Sequence, residues 1–250
     1  MLVTLILTTY QRDHLLKHTL PTITRQNIPG LEVIIVNDGT PDNTEAIAKQ
    51  HGCKYIFTGQ RNLKHKHWRI PGFAFNIGVQ QAKGEIIMLS CAEIFHLGNV
   101  ITRLLLPVAQ DPMALAIPYG KDDDGTYLKA LRNIEETPNI PDHMYHRLPN
   151  LNTRLPFLMA MSKALFLNIG GYDEDFIGQA FDDNDITDRL LAYGCHYVQT
   201  DAQCVHLYHA RSGPGRSRKL HEYNRRLYEA RRGVIVRNVG KDWGQNVQTT

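Results

Sequence analysis

Four short stretches of this chain carry side chains that can do chemistry. The densest is Phe181-Asp182-Asp183-Asn184-Asp185, which opens a segment of helical periodicity running to Tyr193 and closed by Gly194. A helix N-terminus favours ionised carboxylates, whereas crowded acids raise each other's proton affinity. Capping accounts for one aspartate there, hardly for three. Asp185 and Arg189 stand at i, i+4 with the acid first, the spacing of a structural ion pair. The second stretch, Val36-Asn37-Asp38-Gly39-Thr40, sets an aspartate at the end of an apolar run. It suits hydrogen bonds to a base or ribose, and equally an Asx turn into the next helix. The third, Val205-His206-Leu207-Tyr208-His209, offers two imidazoles, which a strand would turn to opposite faces. The fourth, Ser90-Cys91-Ala92-Glu93, ends another apolar run with one acid at its tip.

The elements that must position these groups are legible around them. Val3–Thr8, Leu31–Asn37, Cys53–Phe57 and Glu85–Leu89 are continuous apolar runs rich in β-branched residues, the pattern of strands buried on both faces. Helical stretches lie between them. Thr40-Pro41 supplies an N-cap and a first-turn proline for one that ends at Gly52, and Pro71–Lys83 ends at Gly84. Strands alternating with helices predict a mostly parallel sheet with right-handed crossovers, which binds ligands beyond the carboxyl ends of its strands. Further on, Pro107–Asn150 is irregular, with a turn at Lys121–Gly125 and a Pro/Asn-rich surface loop. Leu155–Met161 reads as a strand, Ser162 as a helix cap, Gly170-Gly171-Tyr172 as a break, and Cys195–Gln199 and Gln203–Tyr208 as two short strands.

Composition narrows the function classes. With 250 residues, 42% hydrophobic and 21% charged, the chain can bury one substantial core, and one domain with a basic tail fits better than two. The sequence contains no apolar stretch long enough to cross a bilayer. The four cysteines show no Cys-x-x-Cys spacing, so a disulfide framework or zinc site is not expected and a reducing, cytoplasmic setting is. The first strand ends Thr8-Thr9-Tyr10-Gln11-Arg12-Asp13 with no glycine-rich phosphate loop. That argues against dehydrogenases, P-loop enzymes and sugar-phosphate nucleotidyltransferases. Charge is uneven: Arg211–Arg237 holds nine Lys/Arg against two Asp/Glu, a local +7, so the rest of the +3 chain carries −4 by subtraction. Such a segment reads as a phosphate-facing element or as a solvated helix face.

The set of motifs resembles a family. TTYQR at 8–12, IIVNDGT at 34–40, FAFNIGVQQAKGEIIML at 73–89 and GGYDEDF to FDDNDITDRLLAYG at 170–194 stand in the order and spacing of inverting family 2 glycosyltransferases of the GT-A fold. The resemblance covers roughly residues 1–210 and implies a single Rossmann-like domain, a mostly parallel mixed sheet flanked by helices. It leaves 211–250 as a basic segment, a hinge at 212–215 followed by a helix. On that helix Leu220, Tyr223 and Leu227 would dock on the body and the arginines would spread around the rest. A mobile hinge there would let the segment close over the donor diphosphate or grip an anionic acceptor.

The resemblance also implies roles. Thr8, Tyr10, Arg12 and Asp38 would hold the donor nucleotide, with Asn76 of the Ala74–Gly78 helix motif and Arg69 near the diphosphate. The family's metal-binding Asp-x-Asp falls on Ser90, Cys91 and Ala92, so only Glu93, one step further, is acidic. Glu93 with His206, or alternatively His209, would hold Mn²⁺ or Mg²⁺; metal-free stabilisation by Arg and Lys of the tail is the rival. Asp183 occupies the place of the family's base, with Asp182 second. Trp68, Tyr172 and Asp173 fall where the family lines its sugar and acceptor pocket. The implied activity is transfer of a sugar from a UDP-type or similar donor to a hydroxyl acceptor. Two other readings stay open: the same chemistry on a nucleic-acid base or other polyanion, and a pseudo-glycosyltransferase that binds nucleotide or glycan without turnover.

Overall fold

The N-terminal apolar runs become strands. These are β1 (Val3–Thr9), β2 (Leu31–Asn37), β3 (Lys54–Phe57) and β4 (Ile86–Cys91), all parallel, and every residue of β1 is buried. They are covered on both faces in β1, β4 and most of β2 and partly exposed in β3 at the sheet edge. The computed structural model describes residues 2–59, 69–132, 142–210 and 217–245. Helices α1 (Asp13–Thr24), α2 (Thr44–Gln50) and α3 (Pro71–Gln80) connect these strands. After β4 come β5 (Ile94–Leu97), α4 (Val100–Gln110), β6 (Ala114–Asp122), α5 (Thr126–Arg132) and α6 (Asp142–Arg147). They are followed by β7 (Leu158–Ser162), α7 (Lys163–Asn168), α8 (Asp182–Ala192), β8 (His196–His206) and α9 (Arg218–Ala230). One eight-stranded sheet runs β3-β2-β1-β4-β7-β6-β8-β5, with β7 antiparallel to β4 and β6, β8 parallel to β6, and β5 antiparallel to β8. One core packs α3, α7 and α8 on one face of the sheet; the other packs α1 and α4 on the opposite face. This is a mostly parallel mixed sheet flanked by helices, as the motifs imply.

Several expectations shift. Helix α2 starts at Thr44, not at Thr40-Pro41, because the Asp42 carboxylate accepts the Thr44 N–H at 3.0 Å and sets the first turn there. Helix α3 stops at Gln80, so Gly84 lies in the turn before β4. The stretch read as irregular contains β6, and the two short strands read near the end are one, β8, with an irregular register between Ile117 and Tyr119 of its partner. The hinge at 212–215 lies outside the described residues.

From residue 217 the chain is docked on the body. Leu227 and Tyr228 pack against the α3/α7/α8 core, as do Ile235 and Trp243. Arg237 is buried and joins Asp173 and Asp185. A boundary after 210 therefore does not separate two packing units. The docking face of α9 also differs from expectation: Tyr223 is exposed, and the fully buried residue is Asn224.

Candidate active site

The acid tip of β4 and the end of β8 meet because of strand register. His206, the last residue of β8, is paired across the sheet with Asp122 of β6 on one side and Ile94 of β5 on the other. Its Nδ1 lies 2.7 Å from an Asp122 carboxylate oxygen, which leaves Nε2 facing Glu93 Oε1 at 3.8 Å. The strand ends there, so the expectation that His206 and His209 face opposite ways does not hold. The backbone turns, and His209 brings its Nε2 to 3.5 Å from the same Glu93 oxygen. Ligand atoms of Glu93, His206 and His209 all lie within 4.8 Å of one another. The turn is held by Asp123, which accepts the Tyr208 N–H at 3.2 Å and caps α5 through the N–H groups of Gly125, Tyr127 and Leu128. Asp122, at the end of β6, and Asp123 are the site residues that a reading of Lys121–Gly125 as a plain turn misses.

Electrostatics follow from this packing. Burial pushes the Glu93 carboxyl up, but the facing imidazole of His206, with His209 and Arg12, outweighs it and holds the group below its ordinary value. Burial pulls His206 down, and the carboxylates of Glu93 and Asp122 more than reverse that. His209 stays below the usual range: burial dominates over Glu93, and Arg12 adds to it. Arg12, at the head of α1, donates from Nη2 to His209 Nδ1 at 3.1 Å. The Ala210 carbonyl is a second neighbour of that Nδ1, at 3.2 Å.

Asp182 and Asp183 open α8 from the other side. Asp183 is half-buried and accepts the Tyr172 hydroxyl at 3.0 Å. Burial pushes its carboxyl up to about 6 against the opposing pull of that hydroxyl. Asp182 is buried, and burial plus the charge of Asp183 push it well above the carboxylate range. Asp185 is the ion pair its spacing implied, with Arg189 Nε at 2.7 Å and Arg237 Nη2 at 2.8 Å. Burial raises the Cys91 thiol well above normal, and the charges of Glu93 and then Asp183 add to the effect. Thr8 is buried with its hydroxyl 3.9 Å from Cys91 Sγ.

At the neighbouring strand ends, Asp38 is buried, accepts the Thr58 hydroxyl, and pairs with Arg69 Nη2 at 2.6 Å. The Arg69 guanidinium lies 3.4 Å over the Phe73 ring. It is Asn37, not Asp38, that makes the Asx turn, accepting the Gly39 N–H at 3.0 Å. Tyr10 is half-buried, and burial followed by the nearby Asp38 raises its phenol.

Three residues expected at the ligand are inside the protein instead. Asn76 is fully buried; its amide donates to the Tyr172 carbonyl at 2.9 Å and Glu174 Oε1 at 3.0 Å, and accepts the Tyr172 N–H at 2.8 Å. It clamps the Gly170–Tyr172 break rather than a donor. The Tyr172 ring is also fully buried, stacked 5.7 Å from Phe75, and reaches the site only through its hydroxyl. Gly72 permits this, since a Cβ there would come within 2.2 Å of that ring. Asp173 is sequestered by Arg231 and Arg237. Trp68 lies outside the described residues.

With this geometry in place, comparison with known proteins is informative. A family model described as glycosyl transferase family 2 matches residues 4–170, two thirds of the chain. The chain belongs to that family. A second model, described as the N-terminal domain of galactosyltransferase, matches residues 143–211. The chain is 25% identical over 225 residues to a validoxylamine A glucosyltransferase of Streptomyces hygroscopicus subsp. limoneus, covering 77% of this chain and 48% of the relative. It is 25% identical over 231 residues to a chondroitin synthase of Escherichia coli, covering 78% and 33%. This family member thus spans about half the length of the curated relatives it matches first. Similar folds include GalNAc-T7 solved with UDP, GalNAc and Mn²⁺ (TM-score 0.64, 15% identity, 92% of this chain and 51% of that one). Another is the mannosyltransferase PcManGT of Pyrobaculum calidifontis with GDP-Man and Mn²⁺ (0.57, 18%, 84% and 58%). Among the described residues no helix is long and apolar enough to cross a membrane.

Proposed function

We propose that the chain transfers a sugar from a nucleotide-diphosphate donor to a hydroxyl acceptor with inversion, using Asp183 as base. The observation that carries this reading is the Glu93–His206–His209 cluster at the strand ends together with Asp183, half-buried at the head of α8 and bonded by the Tyr172 hydroxyl. Inverting displacement needs a proton acceptor and a counter-charge for the leaving group on either side of the reacting carbon.

Asp183 takes the proton of the acceptor hydroxyl, and that oxygen bonds to the anomeric carbon. The bond from that carbon to the diphosphate oxygen breaks as the new one forms, and its electron pair leaves with the diphosphate. A carboxyl raised to about 6 is still ionised at neutral pH yet holds the proton better than an ordinary aspartate. Tyr10 and Asp38, just past the ends of β1 and β2, receive the nucleotide, and Arg12 brings positive charge towards the diphosphate.

Glu93, His206 and His209 would hold a divalent cation, which when bound supplies positive charge to the departing diphosphate. The residues fit such an ion. Asp122 fixes the His206 ring through Nδ1, the outer-shell arrangement that turns Nε2 inward. For His209, ligation through Nε2 leaves a proton on Nδ1 for the Ala210 carbonyl and releases Arg12. Two imidazoles and one carboxylate suit Mn²⁺ better than Mg²⁺, which prefers oxygen ligands.

Part of the basic segment's charge is neutralised within the protein, which weakens the reading of a polyanionic acceptor. Arg225 pairs with Glu222 and Glu229, Arg226 with Glu222, Arg231 with Asp173 and Asp175, and Arg237 with Asp173 and Asp185.

The test is donor hydrolysis and transfer by the full chain across UDP- and GDP-sugars, with and without Mn²⁺. Turnover with at least one donor is expected, stimulated by Mn²⁺. Glu93→Ala should lose both the stimulation and Mn²⁺ binding measured by calorimetry. Full activity in EDTA would remove the cation from the reading; nucleotide binding without turnover on any donor would leave a binding protein.

A further inference from the structure

We infer that Asn224 of α9 is a positioning residue for the proposed base: it holds the backbone of residues 177–181 in the shape that aims Asp183 at the acceptor. The inference rests on the reading of Asp183 given above. The turn immediately before α8 is built from two consecutive non-glycine residues in the left-handed region, Ala180 at φ +79° and Phe181 at φ +71°. Each is disfavoured for an L-residue and persists only where its surroundings dictate it.

Asn224 supplies those surroundings. It is fully buried, and its amide nitrogen lies 2.6 Å from the Ile177 carbonyl, 3.0 Å from that of Gln179 and 3.1 Å from that of Ala180. Its side-chain oxygen accepts the Ile177 N–H at 3.1 Å. Two neighbours on the same face of α9 complete the grip, since the rings of His221 and Tyr228 lie 5.0 and 5.6 Å from Phe181. The Phe181 carbonyl then accepts the Asp185 N–H at 2.8 Å, which starts α8 and so sets the direction of Asp183. An apolar residue would dock a helix as well. A buried amide with every partner on one left-handed turn fixes a conformation instead.

The experiment uses the full chain with Asn224→Ala and Asn224→Asp, the latter keeping size and acceptor but losing both donor hydrogens. We expect kcat to fall on the order of 10–100-fold, with donor KM and Mn²⁺ affinity within about twofold of the parent. The groups facing Asp183 are the Tyr172 hydroxyl, the Cys91 thiol of β4 and Asp182 of its own helix. Loosening the turn leaves these in place but admits water, so the acid limb of kcat should move from about 6 towards the ordinary aspartate value of about 4. A folded variant with parental kcat and an unmoved limb overturns the inference, as does parallel loss of Mn²⁺ binding. If neither variant folds, His221→Ala, which leaves the Asn224 bonds intact, should lower kcat less and move the limb the same way; an unmoved limb again overturns it. Asp183→Asn separates the two proposals. If it turns over normally, the base reading and this inference both fall; if it is inactive while Asn224→Ala is parental, only this inference falls.

Discussion

Asp183 and Asp185 sit two residues apart on the first turn of α8 and are treated in opposite ways by the fold. Asp185 is enclosed by Arg189 and Arg237, both themselves buried, and Arg189 goes on to donate to the carbonyls of Ile169 at 2.9 Å and Gly171 at 2.8 Å. That carboxylate ties α8 to the Gly170–Tyr172 break and to the C-terminal segment. Among the described residues the Asp183 carboxylate accepts one neutral hydroxyl and has no ion pair, and burial lifts its proton affinity. What separates a brace from the proposed base is the placing of guanidinium groups: two within reach of one carboxylate and no described ion pair for the other.

The comparison can be broken by substitution. The largest effect is expected from Asp183→Asn, which keeps size but cannot accept a proton; kcat should fall on the order of 10²–10⁴-fold with donor binding little changed. If Asp182→Asn is the more damaging change and Asp183→Asn stays active, the base is one residue earlier. Asp185→Asn should act on stability instead, since it leaves two buried guanidiniums under-compensated. About 3–5 kcal/mol is the scale for breaking a buried pair, read from the denaturant midpoint, while turnover per folded molecule changes far less. A stable Asp185→Asn with collapsed activity would contradict this division of labour. The smallest effect belongs to Tyr172→Phe. The hydroxyl holds the Asp183 pKa down, so its loss should raise that pKa and move the acid limb of kcat to higher pH, opposite in sign to Asn224→Ala. A limb that moves down or stays put would show that the hydroxyl does not bond to the working carboxylate.

How far the sequence foretold this depends on the region. Strands β1, β2 and β4 are apolar on both faces and bounded by turn residues, so their runs were readable, and with them the positions of Asp38 and Glu93. Strand β6 carries Pro118, a glycine and a charged end, and β8 alternates polar residues because it lies near the other edge of the sheet; neither offers a clean run. Missing β6 hid Asp122 and Asp123. Treating His209 as a strand residue followed from placing the strand end at Tyr208, two residues late. On α9 the apolar spacing of Leu220, Tyr223 and Leu227 drew attention, whereas the anchoring residue is polar. Its partners lie 44 to 47 positions away, a pairing no local pattern encodes. Asn76 and Asp173 match family positions, yet their hydrogen bonds turn them inward, a distinction visible only once the break at Gly170-Gly171 is folded.

The pairing of β8 has a consequence for how the molecule comes into being. Strand β5, which follows Glu93 directly, has β8 as its sole strand partner in the sheet, and His206 is seated between β5 and β6. A growing chain that has exposed everything up to β7 still lacks both imidazoles and the strand that holds β5 in place. Long-range pairings of this kind are slow to form because loop closure precedes any gain from the contact. The Glu93–His206–His209 cluster is thus a late product of synthesis and folding. Its appearance would report that the last strand has slotted into the sheet, and an unfinished chain would lack the two imidazoles proposed to hold a cation.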